Sequence, residues 1–322
     1  MGDPLTGVTQ AADSLAAPPP DPDFQRRLDQ QSGRLRRALM RVYGERSEFE
    51  VILARIHDLL ARRRRDRPSG LKRLDQAREL DPDWFLRGDR LGYSTYVPQF
   101  AGSLAGVRAT IPYLRDLGVT YLHLLPVLKP RAGDSDGGFA VADFEAVDPR
   151  LGDMADLESL ARDLRGQGIS TCIDLVLNHV ADDHPWSKAA KAGDPYYRGF
   201  FRIIHDADEV AAYEASLEQI FPVSAPGNFT PVDQVDGWVW TTFYPYQWDL
   251  NYSNPEVFLA ILDALLGLAA QGVDVFRLDS VAYIWKQMGT ACRNLPQAHA
   301  LIEALRAADA IAAPAVILKS EA

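Results

Sequence analysis

From Pro22 to about Leu86, apolar residues recur at three- and four-residue spacing, through "FQRRLDQ", "LRRALMRVYG" and "FEVILARIHDLLARRRR". That period is helical and no alternating run interrupts it, so a small all-helical N-terminal domain is expected over 22–87. From about Gly88 the register changes. Short apolar runs suited to strands, "YSTYV" (93–97), "TYLHLLPV" (120–127), "STCIDLVL" (170–177), "VDVFRLD" (273–279) and "AVILK" (315–319), alternate with amphipathic helical segments. Gly118, Gly168 and Gly272 close three of those segments, where a left-handed C-cap is expected before the chain re-enters a strand. Alternation of this kind implies right-handed crossovers and a parallel sheet.

One stretch breaks the alternation. Residues 180–254 carry "PYYRGFFRII", "GNFTP" and "WVWTTFYPYQWDLNYSNP", an aromatic-rich irregular sequence far longer than the roughly 2–6 residues of an ordinary βα loop. An inserted domain, leaving the carboxyl end of the third strand, is expected there. Barrels of parallel strands assemble their sites at the strand carboxyl ends. Polar residues gather at four such places: "KPRAGDSDGGFAV" after strand two, "DLVLNHV" at strand three, "FRLDS" at strand four and "LKSEA" at strand five.

Composition narrows the function. The 322 residues carry a net charge of −10, which disfavours nucleic acid as a partner because phosphate neutralisation needs a clustered basic surface. The local exception, "ARRRRDRPSG" (61–70), is read as a solvated helix end and linker, with cations at the negative end of the helix dipole. Cys172 and Cys292 lie far apart without metal-ligand spacing, so reduced thiols are expected. Residues 1–21 are expected to be disordered; their sequence shows no basic start or apolar run of a secretory signal, and a cytoplasmic protein follows. No stretch reaches the 18 apolar residues of a membrane span.

Arg277 and Asp279, two apart on a strand, point to the same side. A guanidinium there should lower the pKa of Asp279 and hold it ionised, as a nucleophile or electrostatic stabiliser requires. Glu321, at the next strand end, is the natural second carboxylate. Two acids so placed can approach the roughly 5–5.5 Å separation of retaining glycosidases.

At this point the motifs show a resemblance. "DLVLNHV" is similar to the first, and "VFRLDS" to the second, of the short sequence regions of the α-amylase superfamily, glycoside hydrolase family 13. "SDGGFAV", "VWTTF", "QWDLNYSNPEVF", "YIWKQMGT" and "NLPQAHALI" resemble its amylosucrase branch more than a general α-amylase. The resemblance implies an incomplete (β/α)8 TIM barrel over 88–179 and 255–322, with the helical domain before it and an inserted B-type domain over 180–254. It implies sucrose as glucosyl donor, an α-glucan acceptor, fructose as leaving group, and no cofactor or metal. Hydrolysis of sucrose, or a non-catalytic truncated remnant, is the alternative. Asp279 would be the nucleophile and Glu321 the general acid/base. Arg277 would orient Asp279, Asp136 and His179 would hold glucosyl hydroxyls, and Phe139 would stack under that sugar where the branch carries tyrosine. Phe243 and Gln247 would contribute to the sucrose pocket. Five strands against a barrel's eight place the remaining strands, a third carboxylate and a C-terminal β-domain outside these residues, so the chain alone is expected to be poorly soluble and inert.

Overall fold

The computed structural model describes residues 21–321; the disorder expected for 1–21 lies, apart from Asp21, outside them. Asp21 caps the first helix, α1 (Pro22–Tyr43), by accepting from the backbone N–H groups of Asp23 and Phe24. Helices α2 (Phe49–Asp66) and α3 (Ser69–Glu79) follow. Five strands then form one sheet: β1 (Gly92–Tyr96), β2 (Tyr121–Leu125), β3 (Ser170–Val176), β4 (Val275–Asp279) and β5 (Ile317–Ser320). They pair in sequence order and every pair is parallel. The main connecting helices are α4 (Met154–Gly166), α5 (Pro255–Ala270) and α6 (Pro296–Ala312). This is the arrangement of consecutive βα units in part of a barrel.

The expected C-caps are present, with Gly118, Gly168 and Gly272 at φ of 83°, 77° and 97°. The helix expected through "VRATIPYLRDLG" divides into Leu104–Ala109 and Ile111–Asp116. Pro112 explains the break, which falls at Thr110, since its ring offers no N–H and crowds the carbonyl four residues before it. The polar run after β2 connects the two strands of an antiparallel ribbon, Leu128–Pro130 with Val141–Val147. Within 180–254, Gly237–Trp240 pairs with both Ile203–Ile204 and Phe229–Val232 in a three-stranded antiparallel sheet. A second ribbon joins His179–Ala181 to Gln247–Asp249, so the chain comes back beside the point where it left β3.

The core is continuous from Leu35 and Leu39 of α1 through Ile56 and Leu60 of α2 to Leu301 and Leu305 of α6 and Ile173 of β3. Buried charge reinforces that joint, and it corrects the expectation for 61–70. Arg64 and Arg67 are 3% and 5% exposed, not solvated. Both donate to Asp75 Oδ2, at 2.7 and 2.9 Å, and Arg67 donates again to Asp75 Oδ1 at 2.9 Å and to the Ala269 carbonyl at the end of α5. The turn into α3 folds these cations back over an acid that the sequence separates from them by most of a helix. Arg62 and Arg65 keep the solvated position. Because Asp75 is fully buried, Asp75→Ala should leave the interior guanidinium of Arg67 without a carboxylate partner and that of Arg64 with Asp21 alone, and cost about 3–5 kcal/mol. Chemical denaturation checks this, and a loss under 1 kcal/mol would contradict it.

Candidate functional site

The barrel side of β4 carries Arg277 and Asp279, and the in-register partner of Arg277 on β3 is Asp174. Arg277 Nη1 donates to Asp174 Oδ1 at 2.6 Å and to Asp279 Oδ1 at 2.9 Å, while Nη2 donates to Glu321 Oε1. One guanidinium therefore holds three carboxylates. Ser280, in the left-handed region at φ 54°, turns the chain directly after Asp279. A non-glycine residue held there is strained backbone of the kind found at functional sites. The turn lets the Ser280 hydroxyl donate to Asp279 Oδ2 at 2.7 Å and its N–H to Glu321 Oε2 at 3.2 Å. Glu321 is itself tied to β4 by its N–H, which donates to the Leu278 carbonyl at 3.1 Å.

The electrostatics depart from expectation. Burial of the Asp279 carboxyl pushes it up to about 6; the Glu321 charge adds to that, against the Ser280 hydroxyl and the Arg277 guanidinium. Arg277 does pull downward as expected, but removing water from a residue only 7% exposed outweighs it. At pH 7 such a group is still roughly nine-tenths ionised. Burial also opposes the Arg277 charge, yet Asp174, Asp279 and Glu321 together raise its pKa above the usual arginine value.

A second group of predicted residues assembles beside the first. Asp136 sits in a single 3-10 turn at φ 51°, and Gln247 Nε2 donates to its Oδ2 at 3.1 Å. Gly138 must be glycine: at φ 106° a Cβ would lie 3.2 Å from Pro126 Cγ. His179 pairs with Asp249 across the ribbon, and its ring centroid is 5.2 Å from that of Phe243. Burial lowers the His179 pKa to about 4, so its ring is neutral, and its Nε2 is buried without a hydrogen-bond partner. Phe139, following the Asp136 turn, links the groups: the Arg277 guanidinium carbon lies 5.6 Å from its ring centroid. All eight residues expected at the site are thus in these two linked groups.

Sequence reasoning missed several partners. Asp174 is a charge inside the apolar run "STCIDLVL", and that anomaly was the available signal. Lys286 gave none. Its ammonium, only 6% exposed, donates to Asp249 Oδ2, to the Tyr283 carbonyl at 2.6 Å and to Asn178 Oδ1 at 3.2 Å, which clamps the residue before His179 to the returning ribbon. Cys172 and Cys292 are free and buried. Among the described residues no helix is long and apolar enough to cross a membrane.

Two carboxylates and a cation stand at the carboxyl ends of adjacent parallel strands, the end at which barrels of parallel strands assemble their sites. Residues 79–318 match the family model for the α-amylase catalytic domain, and the chain belongs to that family. It is 40% identical over 202 residues to a glucosylglycerate phosphorylase of Allomeiothermus silvanus, a match covering 62% of this chain and 34% of that protein. It is 33% identical over 234 residues to a trehalose synthase of a Pimelobacter species, covering 70% and 39% respectively. The solved structure of a "Family GH13_31 enzyme" is similar at a TM-score of 0.62 and 27% identity, over 73% of this chain and 47% of that one. The chain spans well under half the length of these curated relatives. The finer resemblance to amylosucrases is not among these matches.

Proposed function

We propose that these residues form the glucosyl-binding half of a retaining α-glucosyl-transferring site, with sucrose as donor and an α-glucan as acceptor. The observation that carries the proposal is the sharing of Arg277 between Asp279 and Glu321. In the first displacement, Asp279 Oδ attacks the anomeric carbon, the glycosidic bond breaks, and Glu321 gives its proton to the departing fructose oxygen. In the second, Glu321 takes a proton from the acceptor hydroxyl, whose oxygen displaces Asp279. Family membership supports glycosidic chemistry. The unpartnered His179 Nε2 and the Asp136–Gln247 pair support a polar sugar lying over Phe139. Sucrose itself rests on the motifs "SDGGFAV", "VWTTF" and "QWDLNYSNPEVF". The division into 22–87, 88–179 with 255–322, and 180–254 belongs to the same proposal, as does a cytoplasmic location.

The identity to a glucosylglycerate phosphorylase favours a second reading, in which phosphate captures the glucosyl group. One experiment separates them. Protein purified from the cells that express it is given sucrose, with and without phosphate, and the products are resolved by chromatography. Fructose with a growing glucan supports transfer. Equal glucose and fructose mean hydrolysis, a phosphorylated glucose means phosphorolysis, and no consumption of sucrose rejects it as donor.

A further inference from the structure

The Arg277 cluster does not end at Asp174. The other oxygen of that carboxylate, Oδ2, lies 3.2 Å from His123 Nε2, and His123 Nδ1 lies 3.3 Å from Ser94 Oγ. His123 and Asp174 are 4% and 3% exposed. Ser94 stands on β1, His123 on β2, Asp174 on β3 and Arg277 on β4, with Ser94 opposite His123 and Asp174 opposite Arg277 in the strand register. A single polar chain therefore crosses the inward face of the sheet and finishes at Asp279 and Glu321. Its donor pattern is consistent: the Ser94 hydroxyl donates to Nδ1, Nε2–H donates to Asp174, and Asp174 accepts from Arg277 through its remaining oxygen.

We infer that His123 is a positioning residue for the proposed glucosyl transfer: by occupying one oxygen of Asp174, it limits how strongly that anion draws Arg277 away from Asp279 and Glu321. The inference rests on the function proposed above for its effect on rate, but not for its effect on Asp279. Without the imidazole, Asp174 is a buried anion whose one nearby donor is Arg277. The shared Nη1 then tightens on Asp174, and the guanidinium retreats from the nucleophile. The groups that face the ring are Ser94 from β1 and, from β3, Asp174 and Cys172, the latter opposite His123 in the register; Arg277, Asp279 and Glu321 follow beyond Asp174. Neither His123 nor Ser94 touches the reacting carboxylates directly.

The test uses the full protein and two readouts. The titration midpoint of Asp279, followed by carboxyl-carbon NMR, needs no substrate; steady-state turnover of sucrose needs the proposed activity. His123→Ala should raise the Asp279 midpoint by about half a unit to one unit, as the loss of a neighbouring cation does, and lower kcat about tenfold with little change in KM. His123→Gln, which can present an N–H at similar reach, should restore much of both. If the wild type ignores sucrose but the midpoint still moves, the donor assignment fails and the positioning role stands. An unchanged midpoint in a folded His123→Ala protein overturns the role, whatever the activity. If that variant does not fold, Ser94→Ala decides in its place: freeing Nδ1 should shift the midpoint in the same direction, and no shift overturns the role.

Discussion

Asp279→Asn is expected to lower kcat at least about 10⁴-fold, the scale seen when a nucleophile is removed from a site whose other parts remain. The amide keeps the shape: its oxygen can still accept from Arg277, and its NH2 can donate to the Ser280 hydroxyl oxygen instead of accepting from it, so KM should change far less. The same substitution should leave the fold as stable or more so above pH 6. The sign follows from the raised carboxyl: with a native pKa of about 6 against an ordinary value of 3.8, Asp279 binds its proton more tightly folded than unfolded. Its ionised form therefore detracts from stability as pH rises through 4 to 6, and stability returns as pH falls. A neutral amide removes that dependence. Thermal unfolding of both proteins at pH 5 and pH 7.5 checks it, and a destabilised Asp279→Asn at pH 7.5 would mean that the ionised acid, held by Arg277, contributes more than its burial costs. In activity, the wild type should lose its acid limb near pH 6, because only the ionised carboxylate attacks carbon.

Much of the fold was legible because the signals were local. The switch from a 3.6-residue period to short apolar runs located all five strands, and three glycines marked helix ends at their predicted positive φ. Arg277 and Asp279 were found together because a strand's two-residue period puts them on one face. What escaped was long-range. Arg64 and Arg67 looked like solvated helix-end cations because Asp75, which buries them, is brought there by a turn and not by sequence spacing. Lys286 reaches Asp249 and Asn178 from across the inserted segment, a contact that no periodicity encodes. The direction of the Asp279 shift was misread for a related reason. A neighbouring arginine is visible in "FRLDS", whereas the depth of burial that outweighs it is a property of the assembled sheet.

Arg277 offers the sharper dissection, because charge and shape can be removed separately. Arg277→Lys keeps a cation but replaces a planar fork with one point of charge that cannot reach Asp174, Asp279 and Glu321 along the same directions. The carboxylates should remain folded in but lose their mutual alignment, and kcat should fall about 10²–10³-fold, as small misplacements of reacting groups do. Arg277→Leu removes the charge as well. Two acids on adjacent strands and a third at the next strand end would then face one another without a cation, at a cost of about 3–5 kcal/mol near neutral pH. Crowded like charges are hardest to hold when ionised, so the penalty should grow as pH rises and shrink as it falls. Denaturation of Arg277→Leu at pH 5 and pH 7.5 is the discriminating measurement. A markedly larger loss at pH 7.5 means the guanidinium's main structural role is to keep three anions compatible in one small volume. An equal loss at both would assign its contribution to packing against Phe139 instead, and would leave the alignment of Asp279 and Glu321 to Ser280 alone.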